Sequence, residues 1–372
     1  MPAVVGDRAS GRLKPRGVLS EAMTDQPVPE VPDGINPDGI TAWLEAHAPG
    51  VAPPLRFSLI AGGRSNLTYT VTDAAGQRFV LRRPPLGPLL PSAHDMGREH
   101  RIMAALAGSP VPVPPVVGLC TDEAVTGAPF YVMRFVDGLI LRDEPTALTV
   151  PESIRATAAD SLVDVLAGLH GLEPAAVGLG DLGRQDGYVE RTLRRWRGQW
   201  EKSKTRELPL VDELAERLAA DIPPAGPASI VHGDYRLDNV IVSAADGSVQ
   251  AVLDWELCTL GDPLADVGLL LVYWTEPGDE ISALSWAPTR AAGMPGRKDV
   301  AGRYATVSGR DLSEIDYYVA LGYWKIAVIL EGVYARYASG AYGATDDSWR
   351  SFEASVPKLA EAADDYARRA GR

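Results

Sequence analysis

Two short apolar runs, Val240 to Val242 and Val249 to Leu253, flank the segment SAADGS, whose Asp246-Gly247 pair is a strong turn signal. That pattern specifies an antiparallel hairpin. In such a ribbon the residue before the first strand and the residue after the second emerge at the same end. Here those residues are Asn239 and Asp254. Just upstream, VHGDYRLDN crowds a histidine, two aspartates, an arginine and an asparagine between apolar segments. Such a stretch is poor core material, and it places Asp234 in the loop that ends at Asn239. Hard oxygen donors gathered beside a loop are what Mg²⁺ takes when it binds through one or two protein groups plus substrate phosphates. The polar cluster therefore reads as the lip of a metal and phosphate site.

The chain around this ribbon is long enough for two domains, or two lobes of one. With 46% hydrophobic and 23% charged residues it is globular in composition. Its 36 basic and 49 acidic residues give a net charge of −13, which disfavours a general nucleic-acid binder. A local nucleotide site needs only a few arginines and is not excluded. Cys120 and Cys258 lie far apart without metal-type spacing, so a reducing compartment with no disulfide and no zinc site is expected. No uninterrupted run of about eighteen apolar residues occurs, so no transmembrane helix or membrane partner is expected. Residues 1–35 are rich in Pro, Gly and charge and lack an apolar signal core. They read as a disordered tail, with Met23 an alternative start, and the expected location is the cytoplasm.

Order is expected from INPDGITAWLEAHAPG, a short helix capped by Asn36 or Asp38. RFSLIAGGRSNLTYTVTDAAGQRFVLRRPP reads as strand, glycine loop, strand, turn, strand. GREHRIMAALAG has helical spacing, and APFYVMRFVDG is an apolar strand closed by Asp137-Gly138. Beyond it helices dominate: ESIRATAADSLVDVLAGLHGL, the charged GYVERTLRRWRGQWEKS, the largely buried IDYYVALGYWKIAVILEGVYARYASG, and a closing surface helix in SWRSFEASVPKLAEAADDYARRA. Residues 276–311 give no clear pattern. The division expected is 36–136 as a β-rich lobe and 137–372 as a mainly helical one.

HGDYRLDN also has the H-x-D-x-x-x-x-N spacing of the protein-kinase catalytic loop. With GGRSNLTY, FVLRRPP, GREHRIMAAL and VLDWELCTLGDPLADVG in the same order, the chain resembles the aminoglycoside phosphotransferase family of small-molecule kinases, in the branch associated with acyl-CoA dehydrogenases. The resemblance runs from about residue 36 to the end. It implies an α+β, protein-kinase-like two-lobed fold and transfer of the ATP γ-phosphate, with Mg²⁺, to a hydroxyl of a small-molecule acceptor. A hydroxyacyl or lipid-type metabolite is expected rather than an aminoglycoside.

Under that resemblance Asp234 accepts the proton of the attacking hydroxyl, and Arg236 neutralises the transferring phosphoryl group. Asn239 and Asp254 hold Mg²⁺, with Glu256 facing a second metal or its water. Gly62, Gly63, Ser65 and Asn66 form the loop over the phosphates, where missing Cβ atoms let backbone N–H groups approach. Arg82 takes the place of the phosphate-binding lysine and Glu99 is its ion-pair partner. A planar guanidinium is not equivalent to an ammonium, so this is a departure from the kinase pattern. Met133, Arg134, Phe135 and Val136 form the hinge whose backbone would hold the nucleotide base.

Other readings of these residues stay open. Asp234 is otherwise a loop or capping aspartate, Glu256 a surface charge, and Arg82 with Glu99 a surface pair of small value. His232 reads as a loop brace, and Asp262 and Asp266 as an N-cap or loop brace. Trp196, Trp200, Trp255, Tyr273, Trp274 and Trp324 are either core or acceptor-pocket lining. The arginines of ERTLRRWRGQWEKSKTRE are either a solvated face or, through Arg194, Arg195 and Arg197, a contact for an anionic acceptor such as the phosphates of a coenzyme A thioester. GLGDLG matches G-x-G-x-x-G but lacks the flanking strand and helix of a dinucleotide site. A nucleotide-binding module without turnover and a protein kinase are the competing functions. No DFG or APE landmark is present.

Overall fold

The computed structural model describes residues 31–60, 66–87, 94–283, 286–340 and 347–372. The tail expected over residues 1–35 therefore lies, as far as residue 30, outside the described residues. So do Gly62, Gly63 and Ser65.

A five-stranded antiparallel sheet forms the first lobe, in the order β1-β2-β3-β5-β4. Its strands are β1 (Arg56–Leu59), β2 (Leu67–Thr72), β3 (Arg78–Arg83), β4 (Val116–Cys120) and β5 (Phe130–Arg134). Side chains alternate between faces along a strand. Phe79 and Leu81 of β3, with Phe130 and Val132 of β5, pack on Ile40 and Leu44 of helix α1 (Pro37–His47), which Asn36 caps at Gly39 N–H. Val80, Tyr131 and Met133 point to the opposite face, where helix α2 (Met96–Leu106) lies. The same alternation sends Arg82 to the α2 side. There α2 buries Glu99, Ile102, Met103 and Leu106, the spacing of one helical face.

The second lobe is mainly helical. It contains α3 (Glu144–Leu148), α4 (Glu152–Gly171), α5 (Tyr188–Ser203), α6 (Pro209–Ala220), α7 (Pro263–Tyr273), α8 (Arg297–Ser308), α9 (Ile315–Ala338) and α10 (Ser351–Arg369). Helix α9 is long and apolar enough by length and composition to cross a membrane, yet 67% of its most apolar window is buried here, as in a core helix. Helix α10, expected on the surface, presents only one face to solvent. Val356, Leu359, Ala360, Ala363 and Ala367 of its other face are buried. The segment without a clear pattern contains α8, whose packing against α4 rather than any strong periodicity defines it.

Two small ribbons sit where the lobes meet. β6 (Ser229–Val231) pairs with β9 (Thr259–Gly261), and β7 (Val240–Val242) pairs with β8 (Val249–Val252). The turn of the second ribbon uses Gly247 at φ +81°, and a Cβ there would lie 2.4 Å from the Ile154 carbonyl of α4. The glycine thus serves both the turn and close packing on the helix. Leu139, just past the sheet, exchanges backbone hydrogen bonds of 2.8 and 2.9 Å with Val242 and fastens the first lobe to this ribbon.

Candidate active site

The two ribbons bracket residues 232–239 and 253–258 and press them together. In the β7–β8 register Val240 faces Val252, and Leu253 N–H donates to Asn239 C=O at 2.8 Å. Asn239 and Asp254 therefore leave the same end of the hairpin, as the turn spacing predicts. Asp254 occupies the left-handed region at φ +64°. An aspartate tolerates that conformation better than most residues, and such positions gather at functional sites.

The Asp234 carboxylate is held from three sides. Tyr273 Oη donates to Oδ1 at 2.8 Å, Asn239 Nδ2 donates to Oδ2 at 3.0 Å, and Arg236 Nε lies 3.3 Å from Oδ2. Asn239 Nδ2 also donates to Asp234 C=O at 2.8 Å. Both acceptors demand the amide nitrogen, so the hydrogen-bond network assigns the flip and turns Oδ1 away from Asp234. Burial, then the neighbouring Asp234 charge, raise the Tyr273 pKa well above its ordinary value and keep the phenol a donor. Tyr273, read from sequence as core or pocket lining, is thus a partner of the central carboxylate.

Arg236 is itself positioned. Its Nη1 meets Asp238 Oδ2 at 2.9 Å, and its guanidinium lies over the Tyr273 ring. Burial raises the Asp238 pKa, and the Arg236 charge opposes that rise. Nη2 of Arg236 has no partner among the described residues.

His232 braces the loop. Its Nε2 donates to Leu253 C=O at 2.8 Å, and its Nδ1 accepts from Asp234 N–H at 3.3 Å. Below it, Asp266 accepts from His232 N–H, from Gly233 N–H at 2.8 Å and from His170 Nε2 at 3.3 Å. Burial opposes the Asp266 charge, but the hydrogen bond and charge of His170, with His232 and Gly233, hold its pKa below the usual range. Asp266 is a loop brace, and Asp262 is the residue that caps α7, at Leu264 N–H. Gly233 has φ +86°, and a Cβ would meet both the side chain and the carbonyl of Leu257 at 2.9 Å. Only glycine fits where these two loops touch.

On the first lobe Arg82 bridges three carboxylates. Nη2 donates to Asp254 Oδ1 at 2.8 Å and lies 3.7 Å from Glu256 Oε2, while Nε is 3.1 Å from Glu99 Oε2. The Nε contact is an ion pair rather than an aligned hydrogen bond. Glu99 is only 2% exposed and also accepts from Tyr131 Oη at 2.9 Å and Asn66 Nδ2 at 3.0 Å. This is no surface pair. Burial pushes the Glu99 pKa up to about 7, against the lowering effect of Arg82 and Tyr131. Asn66 Nδ2 reaches Glu256 Oε2 at 3.4 Å, and its Oδ1 is 2.7 Å from His94 Nδ1. Asn66 thus ties the start of β2 to α2 and to Glu256, which follows the β7–β8 ribbon. Tyr131 and His94 were not singled out in the sequence, and no local pattern marks them.

The hinge differs in part from expectation. Arg134 N–H already donates to Pro115 C=O at 2.8 Å, and Phe135 N–H to Arg78 C=O at 3.1 Å. Met133 lies within the β3–β5 ladder opposite Val80. The Arg134 side chain turns to the Phe79 ring and Gln77. Sheet pairing has consumed these two donors, and among the described residues the Val136 N–H makes no backbone hydrogen bond outside the sheet.

A group of three or more His, Cys, Asp or Glu side chains able to hold a metal does not occur among the described residues. Mg²⁺ bound mainly through phosphates does not need one. Asn239 Oδ1 accepts no hydrogen bond among the described residues, and a hard carboxylate stands at the same ribbon end. This donor pair fits the ion.

A cavity of about 740 Å³ opens between the lobes. Glu99 of α2 and Glu256 line it, together with Arg191, Thr192 and Arg195 of α5. Of the arginines proposed for an anionic acceptor, only Arg195 faces this cavity. Arg194 lines a neighbouring groove, and Arg197 pairs with Glu216 at 3.2 Å on the surface. Trp200, Trp255, Trp274 and Trp324 are core. The GLGDLG segment follows α4 and precedes α5, and no strand leads into it.

Known proteins share this family and fold. Acyl-CoA dehydrogenase family member 10 of Mus musculus is 35% identical over 321 residues, covering 85% of this chain and 30% of that protein. The chain spans well under half the length of the curated relatives it matches. A crystal structure of a candidate aminoglycoside phosphotransferase from Ralstonia eutropha superposes with a TM-score of 0.76 at 34% identity, covering 90% of this chain and 98% of that one. An aminoglycoside phosphotransferase solved with GDP and kanamycin shares the fold at 15% identity, with a TM-score of 0.58 and coverage of 88% and 98%. The family model described as "Phosphotransferase enzyme family" matches residues 56–297, which hold both ribbons, Arg82, Glu99 and Asp234. The chain belongs to the phosphotransferase enzyme family.

Proposed function

We propose that this chain is a small-molecule kinase that moves the γ-phosphate of ATP to an alcohol, with Mg²⁺ as cofactor. The observation that carries the reading is the meeting of Asp234, Asn239 and Asp254 at one ribbon end, closed from the first lobe by Arg82. Residues 36–136 serve as the nucleotide lobe, and residues 137–372 carry the catalytic loop and the acceptor wall.

Phosphoryl transfer needs mainly alignment and charge neutralisation. Asp234, fixed by Tyr273 and Asn239, accepts the proton of the attacking hydroxyl. Arg236, clamped by Asp234 and Asp238, directs Nη2 at the transferring group. Asn239 Oδ1 and Asp254 would hold Mg²⁺, which when bound neutralises and orients the phosphates. Arg82, kept in place by Glu99, contributes the cation of the first lobe, and Gly62, Gly63, Ser65 and Asn66 are the residues assigned to the phosphates. From Asp254 to the start of α7 at Pro263 the chain runs directly through β9. That leaves no long segment of the kind protein kinases use to present a protein substrate. The likeness to relatives named acyl-CoA dehydrogenase family members favours a hydroxylated acyl metabolite over an aminoglycoside. A screen for Mg²⁺-dependent ADP formation across hydroxylated metabolites, with Asp234→Ala as the blank, tests the reading. Acceptor-dependent ADP formation above the blank supports it, and its absence across the panel contradicts it.

A further inference from the structure

We infer that the acceptor is an anionic alcohol, and that Lys325 of α9 and Arg195 of α5 form the subsite that takes its negative group. This rests on the kinase reading above and adds the charge of its substrate.

Lys325 Nζ donates to Gly233 C=O at 3.3 Å, one residue before Asp234. It has no other hydrogen bond and no ion pair among the described residues. The two nearby acids cannot neutralise it at contact distance. Asp234 is engaged by Tyr273, Asn239 and Arg236, and Asp266 by His232, Gly233 and His170. Nζ lies 5.8 Å from the Trp196 ring centroid, and the Arg195 guanidinium lies 5.4 Å from the same centroid. Two cations thus share one indole beside the catalytic loop. Arg195 makes no hydrogen bond or ion pair with a described residue, and it lines the interlobe cavity together with Glu99 and Glu256. Two cations without an ion pair among the described residues thus meet at the Trp196 ring. Burial lowers the Lys325 pKa, against the raising effect of Asp234 and Asp266. A carboxylate or phosphate on the acceptor supplies counter-charge and directs a neighbouring hydroxyl toward Asp234. The oxygen–phosphorus bond then forms as the bond to the ADP oxygen breaks, the hydroxyl proton passes to Asp234, and ADP leaves.

The test uses full-length protein, Mg²⁺-ATP, and hydroxycarboxylates of graded spacing between hydroxyl and carboxylate. Each is paired with its methyl ester, and a hydroxyalkyl phosphate series is run beside them. The readout is the acid-to-ester ratio of kcat/KM. The expected ratio is about tenfold or more, as for a desolvated charge pair, and it collapses toward one in Lys325→Met and Arg195→Met. The phosphate series tells which anion the subsite prefers. A wild-type ratio near one, or a ratio unchanged in both variants, overturns the inference. Arg195 is exposed, so its variant keeps the test usable should Lys325→Met fail to fold. If no alcohol yields ADP above the Asp234→Ala level, the kinase reading itself has failed. Calorimetry with Mg²⁺-AMP-PNP bound then decides the subsite: carboxylate binding over ester that is lost in both variants supports it, and equal binding overturns it.

Discussion

Arg82 and Asp254 form a bond between the two lobes, Nη2 to Oδ1 at 2.8 Å, from β3 to the end of the β7–β8 ribbon. The same guanidinium reaches Glu99 through Nε. A fork with separated donors spans two carboxylates at once, and a lysine ammonium at this position does not. Arg82→Lys is expected to lower kcat/KM for ATP by about tenfold or more. Arg82→Met, which leaves buried Glu99 uncompensated, should also cost about 3 kcal/mol of stability. Steady-state kinetics and urea unfolding of both variants check this.

Glu99 gives the stability of the nucleotide-free protein a pH dependence. Its folded pKa, about 7, stands above the ordinary 4.5, so the folded state binds the proton more tightly than the unfolded chain. Its favourable contribution is complete below about pH 4.5 and is lost as pH rises through about 7. At roughly 1.4 kcal/mol per unit, the loss is about 3 kcal/mol across that window. Glu99→Gln should flatten this part of the stability profile. Denaturant midpoints between pH 4.5 and 8 in wild type and variant measure it.

Tyr273 fixes one oxygen of Asp234 through its phenol. Tyr273→Phe should lower kcat about five- to tenfold, leave the KM for ATP near its original value, and change stability by about 1 kcal/mol. A rise in the KM for ATP with kcat intact would assign the residue to nucleotide binding instead.

Asn239 holds Asp234 through Nδ2 and presents Oδ1 at the ribbon end. Asn239→Ala frees Asp234 and removes a hard donor from the ribbon end. It should raise the Mg²⁺ concentration for half-maximal rate by about tenfold or more, in line with loss of one ligand. Titration of activity with Mg²⁺ at fixed ATP reports it.

What was legible in the sequence was what local pattern controls. The Asp246-Gly247 turn and its two apolar runs place Asn239 beside Asp254 before any tertiary contact is known. The meeting of Arg82 and Glu99 was implied by the family resemblance, not by spacing; alternation along β3 and the buried face of α2 are how the fold brings it about. The contacts that fix Asp234 were not legible in this way. Tyr273 reaches it from the end of α7, and Lys325 reaches Gly233 from α9, across 39 and 92 residues. No periodicity encodes which rung of an apolar helix will face a loop. The same holds for the β6–β9 ribbon, whose three-residue strands are too short to carry an alternation. At the hinge the strand was visible, but the use of its N–H groups by Pro115 and Arg78 depends on neighbours distant in sequence.

The most direct measurement is single-turnover transfer from [γ-³²P]ATP to one accepted alcohol, comparing wild type with Asp234→Asn, together with the Kd for Mg²⁺-ATP of each. If Asp234 takes the hydroxyl proton at the ribbon end, the transfer rate falls about 10²- to 10⁴-fold, the range of a positioned general base, while the nucleotide Kd changes less than about threefold. A transfer rate preserved in Asp234→Asn would contradict it.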